Sequence, residues 1–185
     1  MKGLISLSFI FFLPGILLVV MSYFGVGHPL ENTLLDEELT FLESSDNRVE
    51  VVFFGYAGCS FICPNALIKL GSVIDDMKDK DANIPLAGVF IDVNATLQLD
   101  RAKEYAEFFS TNIRGINTTP ETLETFKSAF KIRIKDTFST NGEIKHTDHF
   151  FVLKKKGSRW KIARVLNKNT SEANLKKIFK EELEY

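Results

Sequence analysis

The chain is poor in cysteine, with two in 185 residues, and it has one tryptophan, five prolines and three histidines. It has no surplus of either charge: 23 Lys and Arg face 24 Asp and Glu, giving a formal net charge of −1 and a pI near 6.3. Each shortage excludes something. Two cysteines cannot build a disulfide-rich scaffold; they make at most one bridge, one redox pair or part of a metal site. A near-neutral chain has no basic field to gather phosphates, so no nucleic-acid partner is expected. A composition 45% hydrophobic and 25% charged sets aside the disordered, collagenous and low-complexity classes and leaves a packed globular protein.

Charge is missing altogether from residues 3–27, a run made mostly of Leu, Ile, Val and Phe. As a helix it would reach about 37 Å, enough to cross a hydrocarbon core of about 30 Å. The competing reading is a cleaved signal peptide, whose apolar region is usually about 7–15 residues and precedes a small-x-small site. Gly25-Val26-Gly27 would serve as that site. The length of the run favours an uncleaved transmembrane anchor at 1–27, in which Leu13-Pro14-Gly15 is tolerable. Lys2 precedes the run while Glu31, Asp36, Glu37 and Glu38 follow it, so the positive-inside tendency puts the rest of the chain outside the cytoplasm. Thiols can be oxidised there. Lys2 is the only charge in 1–27, so residues 28–185 carry 22 basic against 24 acidic side chains. Residues 28–48 read as a tether with at most one short strand, and 49–185 as one domain with room for a core.

Within that domain, strand-like runs alternate with helical periodicity. Val49–Gly55 and 85–92 are short, β-branched and aromatic, of the buried-strand type. Between them Leu67, Leu70, Val73, Ile74 and Met77 recur at helical spacing, with Pro64 in the first turn. A helix near 99–109, a strand at Ile113–Asn117 and a helix at Pro120–Phe130 follow, the last opened by Thr118-Thr119-Pro120-Glu121. Strands at 149–154 and 160–165 form a hairpin around 155–159, and Thr170-Ser171 opens a final helix with Leu175, Ile178, Phe179 and Leu183 on one side. The predicted fold class is α/β: a mixed sheet flanked by helices, in the order βαβ, hairpin, helix that is thioredoxin-like. Lys154-Lys155-Lys156 reads as a solvated turn, Trp160 as packing, and Asp100, Glu104 and Glu107 as a wet helix face.

Open α/β sheets bind ligands at the carboxyl ends of their strands, and Cys59 falls there. The loaded segment is Gly55-Tyr56-Ala57-Gly58-Cys59-Ser60-Phe61-Ile62-Cys63-Pro64, a strand running into a helix. Cysteines four apart at such a junction face one side of a turn, and helix-start amides stabilise a thiolate. Two buried structural thiols, or a purely structural disulfide, are the bland alternatives. A metal needs more than two thiolates. His28 sits in the tether without a partner in sequence. His146-Thr147-Asp148-His149 precedes the apolar run Phe150-Phe151-Val152-Leu153, so a histidine there can face the first βα turn, with Asp148 to orient an imidazole.

These residues resemble the SCO/SenC family of membrane-anchored copper-binding proteins: a strand ending Phe54-Gly55, the turn Cys59-Ser60-Phe61-Ile62-Cys63-Pro64, and a distant Asp148-His149 before a strand. The resemblance covers roughly 50–165. It implies a thioredoxin-like domain in which Cys59, Cys63 and His149 bind copper, Cu(I) or Cu(II), for assembly of the copper centre of cytochrome c oxidase. A copper-receiving oxidase subunit is then the partner, the N-terminal helix holds the membrane, and Cys59–Cys63 is a redox-active disulfide when oxidised. The expected place is the inner, cytoplasmic membrane of a bacterium, with the domain on its periplasmic side. Two soft thiolates with one imidazole also suit copper on chemical grounds, whereas structural zinc wants a fourth protein ligand. Should His149 fail as the third ligand, His146 is next. The sequence departs from the family at Ser60 and Phe61, where proline and an acidic residue are common, and at Val93 after Asp92.

The rival function is a thiol-disulfide oxidoreductase acting on a client's cysteines. General oxidoreductases of this fold resemble one another in having C-x-x-C and a proline opposite the cysteines. Here the spacing is C-x-x-x-C, and none of the five prolines lies beside Asp148-His149. A carrier, rather than an enzyme, is the favoured reading. The peroxiredoxin-type turn is absent.

Overall fold

The computed structural model describes residues 15, 27–35, 39–43, 45–95, 101–135 and 144–184. The expected anchor at 1–27 lies outside them except for Gly15 and Gly27, as does Asp100. Among the described residues no helix is long and apolar enough to cross a membrane. In chain order the elements are α1 (Thr40–Glu43), β1 (Val49–Gly55), α2 (Ile62–Lys80), β2 (Leu86–Asp92), α3 (Arg101–Glu107), β3 (Ile113–Asn117), α4 (Pro120–Phe130), β4 (Ile134–Lys135), β5 (Lys145–His146), β6 (His149–Lys156), β7 (Arg159–Asn167) and α5 (Glu172–Glu184).

A five-stranded sheet runs β3-β2-β1-β6-β7. β1 pairs parallel with β2, and β2 with β3, while β6 and β7 join antiparallel. The strand β1 lies in the middle, and all seven of its residues are buried, which is why VEVVFFG, apart from Glu50, reads as an apolar run rather than an alternation. Its two faces feed two separate cores. Val49, Val51 and Phe53, with Phe150 and Val152 of β6, pack under α2, α3 and α5. Val52 and Phe54, with Phe151 and Leu153, pack under α4 and the N-terminal segment. This is the thioredoxin-like mixed sheet with helices on both faces.

The segment read as a tether is part of this second layer. Leu35, Leu39, Phe41 and Leu42 are buried in it, and Asn32, Leu35 and Thr33 exchange main-chain hydrogen bonds with Ile162 and Trp160 of β7. Six apolar side chains in a run of thirteen residues, 30–42, are what brings it down onto the sheet. The three-lysine turn also differs from its expectation. Lys154 is buried against Glu182 at 3.8 Å, and the exposed Lys155 donates to the Ser45 carbonyl, because β6 continues to Lys156 and the turn shrinks to Gly157-Ser158. Trp160 is core, as expected, and α4 starts as read: Thr119 and Thr122 cap one another reciprocally with Pro120 in the first turn.

Close packing of α3 on β3 rests on one missing side chain. A Cβ on Gly115 would stand 1.9 Å from the Ala102 carbonyl oxygen, a backbone atom that cannot swing aside. Gly115→Ala should therefore destabilise the domain by about 1–3 kcal/mol, the usual cost of overpacking. Chemical denaturation of the variant beside the native chain reads this, and an unchanged midpoint would mean that α3 is free to ride off the sheet.

Candidate metal centre

The strand β1 delivers the chain to Gly55 at the carboxyl edge of the sheet, and the next eight residues fold back on themselves to start α2. The Cys59 N–H donates to the Tyr56 carbonyl at 3.1 Å, closing the turn. Asp92, beside Gly55 in the β1–β2 register, is buried and accepts from the Ala57 N–H at 3.2 Å, which ties the turn to the end of β2. Tyr105 of α3 donates its hydroxyl to the Cys59 carbonyl at 3.2 Å. Both main-chain groups of Cys59 are therefore held. Gly55 itself is needed for close approach: a Cβ there would come within 2.8 Å of the Cys63 sulfur.

Cys63 is fully buried in the first turn of α2, and Cys59 is half-exposed. No side chain caps this helix, and the Cys63 N–H instead points at the Cys59 sulfur at 3.4 Å. The two thiols consequently differ. Burial pushes the Cys59 thiol up, but the N–H groups of Cys63, Phe61 and Ile62 outweigh it, and the net shift is downward. Cys63 is driven strongly up by burial and, further, by the charges of Cys59 and Asp92. Cys59 is the more readily ionised thiol, and Cys63 the one that holds its proton.

His146, in the two-residue ladder β4–β5 where it pairs with Ile134, reaches back over this dithiol. Its Nε2 stands 4.0 Å from the Cys63 sulfur, and its Nδ1 is 2.9 Å from the Thr147 carbonyl. A carbonyl only accepts, so Nδ1 carries the proton and the Nε2 lone pair faces the sulfur, the tautomer a metal ligand needs. Burial lowers the imidazole pKa and keeps it neutral. Tyr56 and Phe53 present the ring with edge-to-face contacts. The mouth is a cavity of about 370 Å³ lined by Tyr56, Cys59, Phe61, Ile62, Ile144, His146 and Asp148, with Asp148 paired to Lys168. Phe61 is 73% exposed at its rim.

His149 is elsewhere. It opens β6 on the face of Phe151 and Leu153, whereas Cys63 lies under the opposite face with Phe150 and Val152. The reading that set His149 beside the cysteines is thus corrected: strand parity turns it away, and His146 occupies that place. The signal was available in sequence, since Phe150 and Val152 share one face and His149 must take the other. The ladder that brings His146 in was not visible, because two-residue strands carry no periodicity. Tyr56, Tyr105 and Ile144 also escaped notice. Among the described residues no three or more His, Cys, Asp or Glu groups converge tightly enough to enclose an ion as they stand.

A thioredoxin-like domain with an unequal dithiol at a helix start and a neutral imidazole above it defines a class of thiol- and metal-handling proteins. Residues 31–184 match the SCO1/SenC family, and the chain belongs to it. Protein SCO1 homolog 1, mitochondrial, of Arabidopsis thaliana is 26% identical over 104 residues, 56% of this chain and 30% of that protein. Protein SCO2, mitochondrial, of Saccharomyces cerevisiae is 26% identical over 129 residues, 69% of this chain and 41% of that one. The matches thus span less than half of these relatives. Among solved structures, Arabidopsis thaliana ScoI with copper bound superposes with a TM-score of 0.65 at 22% identity, covering 75% of this chain and 86% of that one. Yeast Sco1 with copper bound gives 0.60 at 20% identity over 74% and 76%. BsSco, a Sco-family cytochrome c oxidase assembly protein with a disulfide switch, gives 0.53 at 18% over 86% and 95%. These structural likenesses show the fold.

The thiol asymmetry is directly measurable. Iodoacetamide should label Cys59 first, with a pH profile whose midpoint falls below the roughly 8.5 of an ordinary thiol, and should leave Cys63 unlabelled until the chain is denatured. Peptide mass spectrometry after timed labelling reads both sites; earlier labelling of Cys63 would reverse the assignment.

Proposed function

We propose that this chain is a copper carrier that binds the ion through Cys59, Cys63 and His146 and supplies it to the copper centre of a respiratory cytochrome c oxidase. The observation that carries the reading is the 4.0 Å approach of the His146 Nε2 lone pair to the Cys63 sulfur, with the Cys59 sulfur on the same helix turn. A thiolate and an imidazole that share one ion stand about this far apart at bond lengths of roughly 2.0–2.3 Å. Two thiolates and one imidazole are soft enough to select copper, and three-coordination suits Cu(I). The family and the copper-bound ScoI and Sco1 structures support the same choice.

Copper is cargo here, and the chain's residues do the handling. Binding displaces the Cys63 proton, which the nearby buried Asp92 carboxylate is placed to influence. The Thr147 carbonyl keeps His146 in the ligating tautomer. Phe61 and Ile62 shield the ion on the solvent side while leaving the mouth open to an incoming donor. Oxidation to a Cys59–Cys63 disulfide removes both sulfurs as ligands, so copper loading and disulfide formation are alternatives. The proposed setting is the outer face of a bacterial inner membrane, on the strength of the apolar run 3–27 behind Lys2.

One observation favours a second reading. A half-exposed thiolate beside a buried protonated thiol is also the arrangement of an attacking and a resolving cysteine, and a client disulfide would be its substrate. The histidine separates the two. The reduced full chain in detergent should take up one Cu(I), with Cys59→Ser, Cys63→Ser and His146→Ala each losing about a hundredfold or more in affinity and His149→Ala keeping it, since removing a ligand costs at least what removing an outer-shell partner does. Equal Cu(I) affinity in native and His146→Ala chains would sink the three-ligand site. In cells, a His146→Ala chain that sustains oxidase assembly while both cysteine variants fail would establish the oxidoreductase instead.

A further inference from the structure

We infer that His28 and His149 form a second metal-binding pair, apart from the dithiol, for a divalent ion of the Cu(II) class that takes nitrogen and oxygen donors. His149 opens β6 on the sheet face opposite to Cys63, and His28 lies across it on the segment strapped along β7, the two rings 6.1 Å apart between centroids and inclined at 49°. Two imidazoles bound to one ion at roughly 2 Å per bond place their centroids roughly 5–6 Å apart, so a small rotation of either ring meets the requirement.

The second observation is an unpaired atom. Nδ1 of His149 is buried and has no hydrogen-bond partner among the described residues. A buried ring nitrogen without a partner is uncommon and costly, and it calls for a ligand. His28 is exposed, and its Nδ1 accepts a long 3.3 Å bond from the Leu30 N–H, so an ion engaged through Nε2 leaves that bond in place. The Glu31 carboxylate accepts from the Val165 N–H through Oε1 and lies against Gly27, which puts an oxygen donor next to His28. Imidazoles with carboxylate or water are a borderline set that favours Cu(II) over Cu(I), the reverse of the dithiol. An ion held there would staple the N-terminal segment to β6, three residues beyond His146.

The test uses the full chain in detergent carrying Cys59→Ser and Cys63→Ala, which removes the first site and makes the outcome independent of it. Titrated with Cu(II), this chain should bind one ion with imidazole-nitrogen coupling in its electron paramagnetic resonance spectrum and no thiolate-to-copper absorption. His28→Ala and His149→Gln should each weaken binding about tenfold or more, the least that even outer-shell losses cost a metal site. Hydrogen exchange at 28–35 should slow on loading. The exposed His28 can be replaced without threatening the fold. Full Cu(II) affinity in the His28→Ala chain, or no Cu(II) bound by the parent, overturns the pair. Should the double cysteine variant fail to fold, the native chain first saturated with Cu(I) gives the same two readings through its second ion.

Discussion

The Cys59 sulfur stands where a serine or aspartate oxygen would normally cap a helix, and the rest of the site follows from that substitution. The amides at the start of α2 have no side-chain oxygen to satisfy them, so they turn to sulfur. That lowers the proton affinity of Cys59 and leaves Cys63, one turn on and pressed against Gly55, as the buried member. Placing this turn at the end of the central strand means that its backbone is fixed from three sides: by Asp92 at the end of β2, by Tyr105 from α3, and by the sheet itself. The reactive sulfur is thus half-exposed on a backbone that is held from three sides.

That rigidity has an energetic source in the two-sided burial of β1. A strand with apolar contacts on both faces cannot slip by one residue without exchanging Phe53 for Phe54 between two differently shaped cores, so its register, and with it the position of Gly55, is pinned. The N-terminal segment contributes to this by closing the second face. Glu50, buried at the far end of β1, adds a polar constraint: it pairs with Arg114 at 2.8 Å and accepts from Ser45 and Asn47, tying β3 and the loop before β1 to the same strand. Removing Arg114 would leave that carboxylate buried without its cation, which is far costlier than the pair is beneficial.

Most of the fold was legible because its elements are long and periodic. The 3.6-residue spacing of Leu67, Leu70, Val73, Ile74 and Met77 and the unbroken apolar strands leave few alternatives, and the cap at Thr119 was readable from four residues. The dithiol was legible for the same reason, as a short fixed spacing. The placement of His146 was not, because it depends on a ladder of two residue pairs linking Ile134 and Lys135 to His146 and Lys145. Nothing local in Lys145-His146-Thr147 announces a strand. The strapped residues 28–35 and 39–43 differ from the tether reading because their leucines form an apolar stripe that packs on the sheet rather than a spacer.

His146 hangs from that two-pair ladder, while the sulfurs belong to the helix and turn that the whole sheet supports. The imidazole and the two sulfurs therefore differ in how firmly they are held. The imidazole is the group that can swing aside without disturbing the core, whereas moving either sulfur would disturb the turn and the first turn of α2. Unequal anchoring gives the three groups an order in which they can move, the imidazole first and the buried Cys63 sulfur last.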